Sequence, residues 1–160
     1  MANDELLTLR DLQDAWLPNA RLVVLSACET AIPGSALPDE VLSLPTGFIQ
    51  AGVDGVVGSL WAVPDESTMV LMCRFYDLWR KQGVPTAEAL RTAQQWVRDT
   101  TNGEKADYFR QHVPEFEGSR MPLESSDSLY KQFRHRDPRV RDFLHPAQWA
   151  AFCYVGANLL

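Results

Sequence analysis

Arg21-Leu22-Val23-Val24-Leu25-Ser26-Ala27-Cys28-Glu29-Thr30 is an apolar run that ends on small residues and a cysteine. A continuous run of branched side chains, without polar alternation, is the pattern of a strand buried on both faces, as in a parallel sheet. The small residues put its carboxyl end at Ala27 or Cys28. Open α/β sheets bind and react in the crevice outside such strand ends. Cysteine is also the side chain with appreciable nucleophilicity near neutral pH without a metal. Cys28 is therefore a candidate nucleophile. The same position equally suits a small buried hydrophobe, which is how most free cysteines behave. The strand alone leaves both readings open.

Working outward, Thr8 followed by Leu9, Leu12 and Ala15-Trp16 at helical spacing predicts a short capped helix over 9–16, ended by Pro18-Asn19. Residues 29–40 carry the prolines, glycine and small polar residues of a loop. A helix is expected over 45–51, with proline in its first turn and Gly52 just past its end. Residues 53–61 (VDGVVGSLW) read as a second strand. Its Gly55 and Gly58 lack the full dinucleotide fingerprint and fall inside a strand, so they are assigned to packing. Pro64-Asp65-Glu66-Ser67 opens a helix whose core face reads as Met69, Met72, Cys73, Tyr76 and Trp79. Gly83 ends it, and Pro85-Thr86 starts another helix through Leu90, Ala93, Trp96 and Val97. Alternating strands and helices predict an α/β domain with a largely parallel sheet. Residues 100–144 break the rhythm and read as an insertion-like surface segment, with short helices at 104–112 and 126–134. Residues 149–156 (WAAFCYVG) resume a strand.

The chain has 160 residues, 46% of them hydrophobic and 22% charged, which suits one domain with a real core. No run reaches transmembrane length and no charged-then-apolar leader is present, so no membrane partner is expected. The three cysteines have no regular spacing, with no Cys-x-x-Cys pair and no Cys/His cluster. A disulfide framework, a zinc site and a cofactor are accordingly not expected. The chain reads as soluble, reduced and cytoplasmic. Its net charge of −6 is uneven: residues 1–70 hold ten acids and two bases, residues 71–160 eleven acids and thirteen bases. Lys131, Arg134, Arg136, Arg139 and Arg141 crowd one segment, either a dock for an acidic partner or an ordinary solvated face. The acidic balance argues against a nucleic-acid partner.

Several segments together resemble a known family. Residues 22–29 (LVVLSACE), 43–50 (SLPTGFIQ) with Ala51-Gly52, and 56–65 (VVGSLWAVPD) come first. Ser67-Thr68-Met69, Arg74-Phe75-Tyr76, residues 85–90 (PTAEAL) and 145–152 (HPAQWAAF) continue in the same order. The pattern is similar to the C-terminal part of the CHAT domain, a caspase-like cysteine peptidase module often joined to tetratricopeptide repeats. The resemblance implies a caspase-like three-layer α/β sandwich, here lacking its N-terminal strands, with residues 102–143 as its insertion-like segment. It also implies peptide-bond hydrolysis by a Cys–His dyad. Cys28 aligns with the nucleophile, and its backbone N–H would be one oxyanion donor.

In that family the histidine precedes the cysteine, on an earlier strand ending in His-Gly. Here no histidine lies upstream of Cys28; the three are His112, His135 and His145. His112 and His135 are expected at the surface, and His145, in the family's His-Pro, in a structural or capping role. The chain reads as a partial domain whose base lies upstream, and the 160 residues alone are expected to be inactive. Related peptidases hold a basic P1 side chain with an acid, for which Asp65 and the pair Asp39-Glu40 are available. Asp65 equally suits the first turn of a helix, where the macrodipole favours an acid. Trp61 either walls the substrate groove or belongs to the core. The expected partners are a protein or peptide substrate, the upstream part of the same protein with its repeat regions, and a second copy paired through the sheet edge. The rival reading is a non-catalytic caspase-like interaction module in which Cys28 is a buried structural thiol.

Overall fold

The computed structural model of the chain describes residues 9–25, 44–112 and 123–157. Strand β1 (Val23–Val24) runs parallel to β2 (Gly55–Ser59), with Val23 opposite Val56 and Val24 opposite Val57. The Leu25 N–H extends this ladder by donating to the Val57 carbonyl at 2.8 Å. On its other side β2 pairs antiparallel with β3 (Phe152–Gly156), Gly55 opposite Gly156 and Ser59 opposite Phe152. All of β2 is buried, which is why it reads as an unbroken small and apolar run. Within the described residues the sheet is therefore mixed, where the sequence predicts a largely parallel one. An apolar pattern records burial and not direction.

Helix α1 (Leu9–Asp14) packs on α2 (Leu44–Gln50), which in turn lies against β2. Helix α3 (Asp65–Tyr76) follows β2 and runs on into one π-helical turn, Asp77–Lys81. Helix α4 (Thr86–Asp99) packs against both α3 and β3. Helices α5 (Asn102–His112) and α6 (Leu123–Phe133) pack on one another, and a 3₁₀ turn, Pro146–Gln148, leads into β3.

The core face of α3 matches the one its sequence suggests only in part: Cys73 is in the core and Met72 and Trp79 pack against it, as expected. Val70, Leu71, Cys73, Phe75 and the following Leu78 are buried, while Met69 and Tyr76 are exposed. Every position of 69–75 except Arg74 is apolar. Such a pattern announces a helix but does not say which stripe turns inward. Asp77 is buried in the π turn, where its carboxylate pairs with Arg74 at 3.1 Å and Lys81 at 3.2 Å and accepts from Gln82 Nε2 at 3.2 Å. A buried carboxylate is tolerable only with partners of this kind.

Residues 102–143, read from the sequence as a surface segment, send Phe109, Leu129, Phe133 and Phe143 into one cluster with Val57, Leu71, Phe75 and Val97. Phe109 stacks on Phe133 at 6.0 Å, and Phe133 meets Phe143 edge-on at 6.0 Å. The α5 N-terminus is closed by a reciprocal cap. Thr101 N–H donates to the Glu104 carboxylate at 2.7 Å, and Glu104 N–H donates to Thr101 Oγ1 at 3.3 Å. One turn on, Lys105 is wholly buried. Its Nζ donates to Thr100 O at 2.6 Å and Thr100 Oγ1 at 2.8 Å, and lies 5.5 Å and 5.4 Å from the ring centroids of Trp96 and Phe143. Burial pushes Lys105 down to about 8, against the opposing pull of Glu104, Asp142 and Asp99. A neutral amine still has two N–H donors, so both bonds survive deprotonation.

At the far end of the β2–β3 ladder, Gly55 lies under the Tyr154 ring, where a Cβ would come 2.6 Å from Cε2. Gly55 thus serves packing, as expected, with the Tyr154 ring and the Gly156 backbone as its close neighbours. Gly156 has φ 144°, and a Cβ on it would run into the Asp54 carbonyl and Gly55 Cα. Because that obstacle is backbone, Gly156→Ala is expected to destabilise the fold by roughly 2–4 kcal/mol, read as a lower denaturation midpoint. A second prediction concerns pH. Between about 8 and a lysine's ordinary 10.5, the unfolded chain holds a proton that folded Lys105 has released. Stability therefore rises with pH across that window, by up to about 1.4 kcal/mol per pH unit. Urea denaturation should show this rise in the wild type and its loss in Lys105→Met.

Candidate active site

Because β1 and β2 are parallel, both deliver their carboxyl ends to one edge of the sheet. Because β3 is antiparallel to β2, its amino end and the 3₁₀ turn before it reach that same edge. Three segments therefore converge there: the exit of β1 at Leu25, residues 60–65 after β2, and residues 145–151 before β3. Edges of this kind are where α/β sheets place their chemistry. Cys28, three positions past Leu25, lies outside the described residues, as do Asp39 and Glu40.

Trp61 sits two residues beyond β2, half-buried and packed against the core cluster. Its Nε1–H donates to the Ala147 carbonyl at 3.2 Å, tying the end of β2 to the 3₁₀ turn. Asp65 is the first residue of α3 and is exposed, with Glu66 beside it in the same turn. Acids there are favoured by the partial positive charge of a helix N-terminus. Ser67 Oγ closes the turn by donating to Pro64 O at 3.0 Å. Glu66 reaches across the chain to Arg136 at 2.6 Å, and Arg136 also pairs with Asp142 at 3.0 Å. The structure thus brings Trp61 and Asp65 to one edge and fastens that edge to the segment after α6.

The described histidines have local partners. His145 Nδ1 accepts the Ala147 N–H at 3.2 Å and so caps the 3₁₀ turn, the role expected of it. Ala147 is held from both sides, by His145 at its N–H and by Trp61 at its carbonyl. That bond places the proton of the neutral ring on Nε2. His145 at this edge therefore holds its own turn through Nδ1. His135 Nε2 accepts Arg134 Nε–H at 3.1 Å on an exposed face. The His112 side chain lies outside the described residues. The sequence did not reveal that residues 145–151 border this edge, because their position follows from the direction of β3.

The other two thiols are accounted for. Cys73 is buried in α3, and burial pushes it up to about 12. Cys153 in β3 directs its Sγ to Gly58 O at 3.6 Å and is also raised by burial. Neither is a thiolate near neutral pH. Titration of native protein with a disulfide reagent at about pH 7.5 should leave Cys73 unreacted, and denaturant should release it. Prompt reaction of Cys73 in the native state would contradict this burial.

Among the described residues no group of three or more His, Cys, Asp and Glu side chains gathers to hold a metal ion. Nor is any described helix long and apolar enough to cross a membrane. Neither curated proteins nor solved structures yield a match. The CHAT domain family model matches residues 1–157, nearly the whole chain. With a mixed α/β fold and a shared strand-end edge now described, the chain belongs to the CHAT domain family, a family of caspase-like peptidases.

Proposed function

We propose that this domain carries the nucleophile-bearing part of a caspase-like cysteine endopeptidase, with Cys28 as the nucleophile. The observation that carries the reading is the parallel pairing of β1 with β2 in a chain of this family. The pairing aims the strand that leads to Cys28 at the edge where Trp61, Asp65 and the His145 turn already stand. A three-layer caspase-like sandwich is the architecture in which that edge becomes a substrate groove. Trp61 walls the groove, and Asp65 and Asp39 hold a basic P1 side chain by charge pairing.

In this mechanism the Cys28 thiolate attacks the scissile carbonyl carbon. The developing oxyanion is held by the Cys28 backbone N–H. The imidazolium that took the thiol proton returns it to the leaving amine, and water then hydrolyses the thioester to a carboxylate and free thiol. The base is a histidine from a preceding segment of a longer protein. Residues 1–27 contain none, and His145 holds its own turn through Nδ1. A protein or peptide is the substrate, the upstream segment and its repeats are the working partners, and pairing through the outer edge of β3 is the route to a dimer.

The test is labelling by a peptidyl acyloxymethyl ketone with arginine at P1. The 160-residue chain, a version extended upstream through a His-Gly strand, and Cys28→Ala are compared. Only the extended form is expected to label quickly, by roughly thirtyfold from the thiolate fraction alone, and Cys28→Ala abolishes it. Equal slow labelling of both forms would replace the peptidase with an interaction module in which Cys28 is structural.

A further inference from the structure

A groove of about 310 Å³ opens between α5 and α6. Its apolar floor is formed by Ala106, Tyr130, Phe133 and Pro138. Around that floor stand three guanidinium groups, those of Arg110, Arg134 and Arg136, with the single carboxylate of Asp107. The volume accommodates one or two side chains and no folded domain. We propose that this groove docks an acidic peptide segment of a partner protein, its carboxylates on the arginines and one aromatic side chain on the floor.

The arginines are preset for this to different degrees. Arg136 lies 4.9 Å over the Phe133 ring and is braced by Glu66 and Asp142, so it forms a fixed wall. Arg134 lies 6.0 Å over Tyr130 and directs its Nε–H to His135. Among the described residues no carboxylate pairs with Arg134. Arg110 pairs with Asp107 at 3.0 Å, yet both side chains are 63% exposed. Exposed pairs of this kind hold weakly, so an incoming carboxylate replaces Asp107 at little cost. The guanidinium fork recognises a carboxylate by two parallel hydrogen bonds. The groove's own lining sets three guanidinium groups against one carboxylate on a chain whose net charge is −6, which favours an acidic segment.

The groove does not offer the backbone amides with which a helix N-terminus holds phosphate. Phosphate sites at helix N-termini use free backbone N–H groups. Here Asn102 N–H donates to Val140 O at 2.8 Å and Gly103 N–H to Pro138 O at 3.0 Å. Glu104 N–H is taken by Thr101 Oγ1 at 3.3 Å. The α5 amides nearest the groove are all occupied, which leaves side-chain guanidinium groups and an aromatic floor. Those are the features that hold a peptide.

The probe is fluorescein-labelled Gly-Glu-Glu-Phe-Glu-Glu-Gly, followed by polarisation on the 160-residue chain at low and high sodium chloride. Saturable, salt-sensitive binding is expected, and the Gln-for-Glu version of the peptide should fail to bind. Arg110→Gln and Arg134→Gln should each weaken binding by about fivefold, the double variant by about tenfold or more, and Arg91→Gln, at an exposed position of α4, should not. Matching denaturation midpoints exclude misfolding as the cause. Absence of binding at millimolar peptide, or unchanged binding by the double variant, overturns the proposal. Equally tight, arginine-dependent binding of an oligothymidylate overturns the peptide as the occupant. None of these outcomes depends on whether Cys28 is catalytic.

Discussion

The parallel pairing of Val23-Val24 with Val56-Val57 is the constraint on which the rest of the structure depends. Two strands that run the same way must be joined by a crossover, and their ends then lie together. Here the crossover includes α2, which packs against β2. The antiparallel return of β3 adds the 3₁₀ turn to the same edge, and the Trp61–Ala147 hydrogen bond locks it there. A chemically useful edge thus arises from strand direction together with one indole N–H.

Beneath that edge, the helical layer is held by polar groups as much as by apolar ones. Trp96 has Arg74 at 5.6 Å and Lys105 Nζ at 5.5 Å from its ring centroid. Arg74 also pairs with buried Asp77, so α3, α4 and α5 share one chain of cations, rings and a carboxylate. Cation–π contacts gain strength where water is excluded. The arrangement lets α5 and α6 join the core although they carry little continuous apolar sequence.

Much of this was legible in the sequence where a single side chain decides the local outcome. Pro85 and Gly83 bracket the α3–α4 junction as read, and His145 caps the turn its His-Pro motif suggests. The segments that resemble the CHAT domain all lie within the residues 1–157 that the family model matches. The α3 face was legible only in part, because six of the seven residues in 69–75 are apolar. Strand direction was not legible, since burial writes the same pattern both ways. Phe109, Leu129, Phe133 and Phe143 looked like scattered surface apolar residues, and only their mutual packing shows them to be core. For the candidate site, sequence pointed to Trp61 and Asp65, but the bond from Trp61 to Ala147 spans 86 positions and has no local signature.

That same separation governs how the chain reaches its fold. Gly55 pairs with Gly156, about a hundred positions later, so closing the β2–β3 ladder requires a long and entropically costly loop. The α3–α4 and α5–α6 contacts are local by comparison and can form while synthesis continues. Until β3 emerges, the Val56-Val57 backbone presents an unpaired edge on the side that β3 will cover. The strand that covers this side of β2 is thus made after the other described strands, and a nascent chain of this domain is most prone to association just before that strand arrives.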